Sequence, residues 1–148
     1  MSERDRTVPG REDFPVLRPQ GTRWADDDRY GHVNNVVHYA WFDTAVNGEL
    51  IERLGHDTRD LPAIGLVVET GCRYLAPLGF PDRLEVGVAV TAIGRSSVTY
   101  ELAVFREGEE RPASVGRFVH VYVDRDERTR SVPVPDAVRR AIAHLERR

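Results

Sequence analysis

The amino-acid sequence predicts an α+β fold, in which a curved antiparallel sheet wraps around one long central helix. Three observations carry this. Apolar residues recur at steps of three and four over a single long stretch, from Asn34 to Leu54. The apolar period then changes to two and stays there through four successive segments. The connections between those segments are short, which joins neighbouring strands antiparallel rather than through crossover helices.

Taken in chain order, residues 1–13 combine charge, Pro and Gly and are expected to be a flexible leader. Residues 14–148 form the one domain that a chain of 148 residues accommodates. A strand is expected from Phe14 into Trp24, with Pro15 and Pro19 restricting its first half to a sheet edge. The polar loop ADDDRYGH follows. The helix comes next, with Asn34 and Asn35 as candidate N-caps and Gly55 as the left-handed residue that ends it. The first half of this helix is apolar almost all round, which predicts enclosure by other structure. Ile64 to Val68 reads as a buried strand running on to Tyr74 and Leu75, and Pro77, Gly79 and Pro81 then break the chain. Leu84, Val86, Val88 and Val90 alternate with other residues, as do Val98, Tyr100, Leu102 and Val104. Arg106 to Arg111 turns the chain into a last strand, Ala113 to Val123. Val138, Ala141, Ile142 and Leu145 predict a short amphipathic helix opened by Pro135 and Asp136. Such a sheet has open edges and one incompletely covered face, and pairing with a second copy is the expected remedy.

Composition narrows the function classes. The formal charge is −3, with no basic excess of the kind that nucleic-acid binding needs. The single cysteine, Cys72, excludes an internal disulfide and a multi-cysteine zinc site. No run of about eighteen apolar residues predicts a membrane span, and the charged N-terminus lacks the apolar region of a secretory signal. A cytoplasmic location, with neither nucleic acid nor membrane as partner, is therefore expected.

The chemistry concentrates in Arg23-Trp24-Ala25-Asp26-Asp27-Asp28-Arg29-Tyr30-Gly31-His32-Val33-Asn34-Asn35. Three acids feed the N-terminus of the long helix. N–H groups in the first turn of a helix lack intrahelical partners, and the peptide dipoles add partial positive charge there. Such an N–H can hold a carbonyl oxygen that becomes an oxyanion under attack. A carboxylate beside the same point can serve as nucleophile or as general base on water. An activated acyl group such as a thioester needs little more. Acids before a helix also cap orphan N–H groups and offset the dipole with no catalytic role, and that alternative stays open at this level.

The run W-A-D-D-D-R-Y-G-H-V-N-N, followed by Tyr39, Phe42 and Asp43, closely resembles the start of hotdog-fold acyl-CoA thioesterases of the hydroxybenzoyl-CoA thioesterase-like family. Asp26 and Asp28 match the two acids of the family pattern, and Gly31 to Asn35 match its Gly-His-Val-Asn-Asn. Leu75 to Val86 resembles the family's Pro-containing turn into the next strand, and Gly94 to Ser97 its following turn. The resemblance spans about Phe14 to Val134. It implies a hotdog fold, an active site at a dimer interface, Asp28 as the catalytic carboxylate and the Asn35 backbone N–H as the group polarising the carbonyl. It implies that His32 and Asn34 shape or cap the turn, and that Arg95, Ser96 and Ser97 meet the phosphates of CoA. The chain departs from the pattern at Ala25, often Gly, and at Asp27, often neutral, so Asp27 competes for the role given to Asp28.

The resulting expectation is an acyl-CoA thioesterase without cofactor or metal, working as a homodimer or a dimer of dimers. The alternative is a non-catalytic protein of the same fold that binds acyl-CoA or acyl chains; a hydratase is a weaker third option, because its usual His and acid arrangement is absent. Asp43 is expected to be structural. Glu69 and Arg73 are expected either to pair with each other or line the pocket at a dimer interface, or to form a surface pair. His38 and His120 lack metal-ligand spacing, and Cys72 is expected to act as a small buried hydrophobe. Tyr30, Trp41 and Phe42 are expected in the core or a pocket wall.

Overall fold

The computed structural model describes residues 8–147. Five antiparallel strands form one sheet: β1 (Val16–Gly21), β2 (Ala63–Tyr74), β3 (Arg83–Ile93), β4 (Ser97–Arg106) and β5 (Ser114–Asp124). Their spatial order is β1-β3-β4-β5-β2, which leaves β1 and β2 as the two edges. The long helix α1 (Asn35–Leu54) crosses one face, and the short helix α2 (Asp136–Ile142) packs beside it. Bulges between Val67 and Glu69 and between Val90 and Ala92 bend the sheet around α1.

The helix starts and stops where its ends are chemically marked. The Asn34 side chain accepts the Val36 N–H at 3.1 Å, and Gly55 ends the helix at φ +76°, a left-handed conformation that favours glycine. Trp41, Phe42, Ala45, Val46 and Leu50 are buried against Val86, Val98, Tyr100, Leu102 and Val104 of the sheet. Gly116 allows the close approach, since a Cβ there would lie 2.3 Å from the Phe42 ring. On the other face of the sheet, Phe14 packs edge-on against Phe105 with Ala89, Ala103 and Val115.

Several expectations change. Within one chain α1 is not enclosed all round: Val36 is 62% exposed and Ile51 is also exposed, because the sheet reaches only one side of the helix. Of the expected leader, residues 1–7 lie outside the described residues. Arg11–Asp13 form a 3₁₀ turn, and Arg11 pairs with Glu85 at 2.7 Å. The C-terminal helix is α-helical only to Ile142 and tightens into a 3₁₀ turn over Ala143–Leu145. Glu69 pairs with Arg117 across the ladder rather than with Arg73. Trp41 and Phe42 are core residues, whereas Tyr30 is exposed. Among the described residues no helix is long and apolar enough to cross a membrane.

Candidate active site

The acid loop closes on itself before α1 begins. The Asp28 N–H donates to the His32 carbonyl at 2.9 Å, and Gly31 makes the turn at φ +88°. The Asn34 N–H donates to the Asp26 carbonyl at 2.9 Å and the Val33 N–H to the Leu78 carbonyl at 2.7 Å. These bonds lash the loop to the β2–β3 connection and bring residue 28 back beside the start of α1.

The three acids have separate environments. Asp26 is 1% exposed and accepts from the Arg23 N–H at 2.8 Å and from its guanidinium Nε at 2.9 Å. Asp27 accepts the Phe80 N–H at 3.1 Å, which ties the loop to the next turn. Asp28 accepts the Tyr30 N–H on Oδ1 at 2.8 Å, an Asx turn, and its Oδ2 has no partner among the described residues.

Asp28 also lines a cavity of about 410 Å³, together with His32, Asn35, His38, Tyr74 and the wall from Leu75 to Leu78. Asn34, expected at the site, is not among the lining residues and instead caps the Val36 N–H, while the Asn35 N–H has no acceptor among the described residues. Asp28, with one unengaged carboxylate oxygen, and Asn35, whose first-turn N–H lacks an acceptor among the described residues, thus line one cavity. That is the pair needed to hold a carbonyl oxygen and act on its carbon.

Two lining residues escaped the reading of the sequence as site residues. Tyr74, the last residue of β2, donates its hydroxyl to the Asn35 carbonyl at 2.8 Å and so pins the first turn of the helix to the sheet. Burial pushes its phenol pKa up, with Cys72 and Tyr39 adding to the shift. His38 Nδ1 is 2.8 Å from the Ser114 hydroxyl, and burial lowers the imidazole to about 4, so it is neutral near pH 7. The i, i+3 spacing of Asn35 and His38 was the available signal, since it puts both on one helix face. Cys72 is half-buried nearby, with burial raising its thiol. Asp43 is exposed and accepts from the Asn47 amide at 3.0 Å.

Arg95, Ser96 and Ser97 are not brought to this cavity within one chain. Arg95 and Ser96 form the β3–β4 turn and Ser97 opens β4; the Arg95 carbonyl accepts the Val134 N–H at 2.8 Å. Ser97 is opposite Val121 and Val104 opposite Ser114, so this turn and the Asp28 cavity sit at opposite ends of the sheet, roughly 20 Å apart along the strands. His38 and His120 are likewise at different ends, and among the described residues no three His, Cys, Asp or Glu side chains converge as a metal site.

Comparison with known proteins identifies the family. A family model of the thioesterase-like superfamily matches residues 22–142. The crystal structure of the PA5185 protein from Pseudomonas aeruginosa strain PAO1 is similar at 51% identity, over 95% of this chain and 97% of that one, with a TM-score of 0.90. A thioesterase from Thermus thermophilus, complexed with coenzyme A and Zn, is 32% identical over 90% of this chain and 96% of that one, with a TM-score of 0.74. The BH1999 gentisyl-coenzyme A thioesterase is 25% identical over 86% of this chain and 99% of that one, with a TM-score of 0.73. The sheet wrapped on one helix, the acid loop at its N-terminus and the family match lead to one assignment: the chain belongs to the thioesterase-like superfamily, as a hotdog-fold thioester hydrolase.

Proposed function

We propose that the protein hydrolyses an acyl-CoA thioester to the free carboxylic acid and CoA at the Asp28 cavity. The observation that supports this is the cavity lined by both Asp28 and Asn35, whose N–H is unpartnered among the described residues. The thioester carbonyl oxygen takes the Asn35 N–H. Asp28 then acts in one of two ways: it removes a proton from the attacking water, or it attacks the carbon itself and forms an anhydride that water cleaves. In both, the C–S bond breaks and the CoA sulfur leaves as a thiolate that takes up a proton. Coenzyme A bound to the Thermus thermophilus relative supports CoA as the carrier. The separate engagements of Asp26 with Arg23 and of Asp27 with Phe80 support Asp28 over its neighbours.

The working form in this reading is a homodimer joined through β2. That strand is a twelve-residue edge, and its bulged residue Val68 is 59% exposed. An antiparallel pairing of two β2 edges carries the Arg95–Ser97 turn of one copy toward the Asp28 end of the other, so the CoA phosphates would be met across the interface.

The test is thiol release from a panel of acyl-CoAs. Asp28→Asn is expected to lower turnover by about 10²–10⁴-fold while keeping the native melting temperature. Asp27→Asn retains an acceptor oxygen for Phe80 and is expected to stay near wild type. The reverse ranking moves the role to Asp27. No release from any acyl-CoA, with tight binding by calorimetry, assigns the protein instead as a non-catalytic acyl-CoA binder.

A further inference from the structure

Around the Asp28 cavity, His38 has one nitrogen to spare. The residue is 3% exposed, and it lines the cavity with Asp28 and Asn35. Tyr74 and Trp41 hold its ring at centroid distances of 5.0 and 5.1 Å. Nδ1 is 2.8 Å from the hydroxyl of Ser114, the first residue of β5, which stands across the ladder from Tyr74. Nε2 has no hydrogen-bond partner among the described residues, yet it is not one of the sealed polar atoms that lack one, so it opens into the cavity. Ser114 fixes which nitrogen carries the proton. Its side chain is fully buried, and besides Nδ1 its hydroxyl has the Cys72 thiol nearby, a weak acceptor. The hydroxyl proton therefore goes to Nδ1, and the ring proton is left on Nε2. Burial lowers the imidazole to about 4, so near pH 7 this donor is uncharged.

We propose that His38 selects the acyl group: its Nε2–H donates to an uncharged oxygen on the β-carbon of the acyl chain, so the preferred substrates are β-oxo- and β-hydroxyacyl-CoA esters. This rests on hydrolysis at Asp28 and names its substrate class. Geometry sets the position of that oxygen. Residues 35 and 38 share a helix face one turn apart, and helical side chains lean toward the N-terminus, so the imidazole reaches back toward the Asn35 N–H. Two donors on the order of 5 Å apart match a thioester carbonyl oxygen and an oxygen two carbons further along the chain. Charge sets its kind. Asp28 shares the cavity and repels an anionic acyl group, and a neutral imidazole supplies no charge to offset that. An unsubstituted chain leaves the Nε2–H without an acceptor once the cavity is filled. A site built to hydrogen-bond its substrate discriminates strongly against the analogue that lacks the group.

The experiment measures thiol release from acetoacetyl-CoA, β-hydroxybutyryl-CoA and butyryl-CoA by the full-length protein. Both oxygenated esters are expected to exceed butyryl-CoA by at least about tenfold in kcat/KM. His38→Asn keeps an amide near the Nδ1 position for Ser114 and removes the donor at Nε2, so the ratio should fall to near one. His38→Gln returns a donor near Nε2 and should restore part of the ratio, which a merely structural role would not do. Equal rates on the three esters, or an undiminished ratio in folded His38→Asn protein, would overturn the proposal and leave hydrolysis at Asp28 standing. If no acyl-CoA releases thiol, the hydrolytic reading fails separately and binding decides this one. Nitrogen NMR of the native chain should then show the proton on His38 Nε2, and acetoacetyl-CoA should move that resonance further than butyryl-CoA does. The same titration of Asp28→Asn protein decides if the His38 variants do not fold. A proton on Nδ1 instead, or equal shifts with the two esters, would sink the assignment.

Discussion

Asp26 gives both carboxylate oxygens to Arg23, Asp27 gives one to the Phe80 N–H, and Asp28 keeps Oδ2 free beside a cavity. Identical side chains at consecutive positions thus have different work, set by which way each points from the loop. Replacing Asp26 with Ala strands the Arg23 N–H and removes the anchor of the loop. A buried polar group left without its partner costs about 1–3 kcal/mol, so urea unfolding of Asp26→Ala should show a loss of that size. Its activity should fall as well, because the loop that carries Asp28 loses a support, whereas Asp28→Asn should lose activity with stability unchanged. The spacing of the acids was plain in the sequence. Their separate partners were not, because Phe80 is over fifty residues away from Asp27 along the chain.

Element by element, the sequence marked α1 most clearly. The run from Asn34 to Leu54 lacks Pro, has apolar steps of three and four, and ends at Gly55. Its N-terminus is also where the chemistry is proposed, so capping and catalysis are linked. Asn34→Ala removes the acceptor for the Val36 N–H and should cost about 1 kcal/mol in urea unfolding. Turnover should fall too, since the first turn frays around the Asn35 N–H. Asn34→Asp restores an N-cap acceptor and should recover the stability, which separates loss of the cap from a general effect of substitution. The strands were legible by their period of two, and their ends shifted by one to three residues where bulges and turns intervene. Enclosure of α1 was not met within the chain, because periodicity reports that a face is apolar and not what covers it.

At the scale of the whole molecule, two buried imidazoles couple stability to pH. His38 and His120 both have their pKa lowered to about 4 by burial. The unfolded chain binds their protons near pH 6.5, whereas the folded chain resists until about 4. The contribution is therefore fully present above pH 6.5 and lost as pH falls from 6.5 toward 4, by roughly 3 kcal/mol for each residue. Urea midpoints measured across that window should fall steeply, and His120→Phe should make the fall shallower. The proposed dimer is tested at the same scale. Sedimentation equilibrium should give twice the chain mass, and Val68→Lys at the bulge of the free edge should shift the protein toward monomer, as charge on an edge strand blocks pairing.

The sequence alone determined the order and type of the elements, the two ends of the long helix, and the loop holding Asp28, His32 and Asn35. Those are local properties, written in spacing, capping residues and turn residues within a few positions of one another. Tertiary structure alone decided which acid faces a cavity, that Tyr74 and His38 complete its wall, and that Arg95, Ser96 and Ser97 stand at the far end of the sheet. These depend on strand order and register, which join residues tens of positions apart through backbone hydrogen bonds common to every sequence. The close packing at Gly65 belongs to the second group: a Cβ there would lie 3.0 Å from His120 Nδ1 only because β2 and β5 lie side by side.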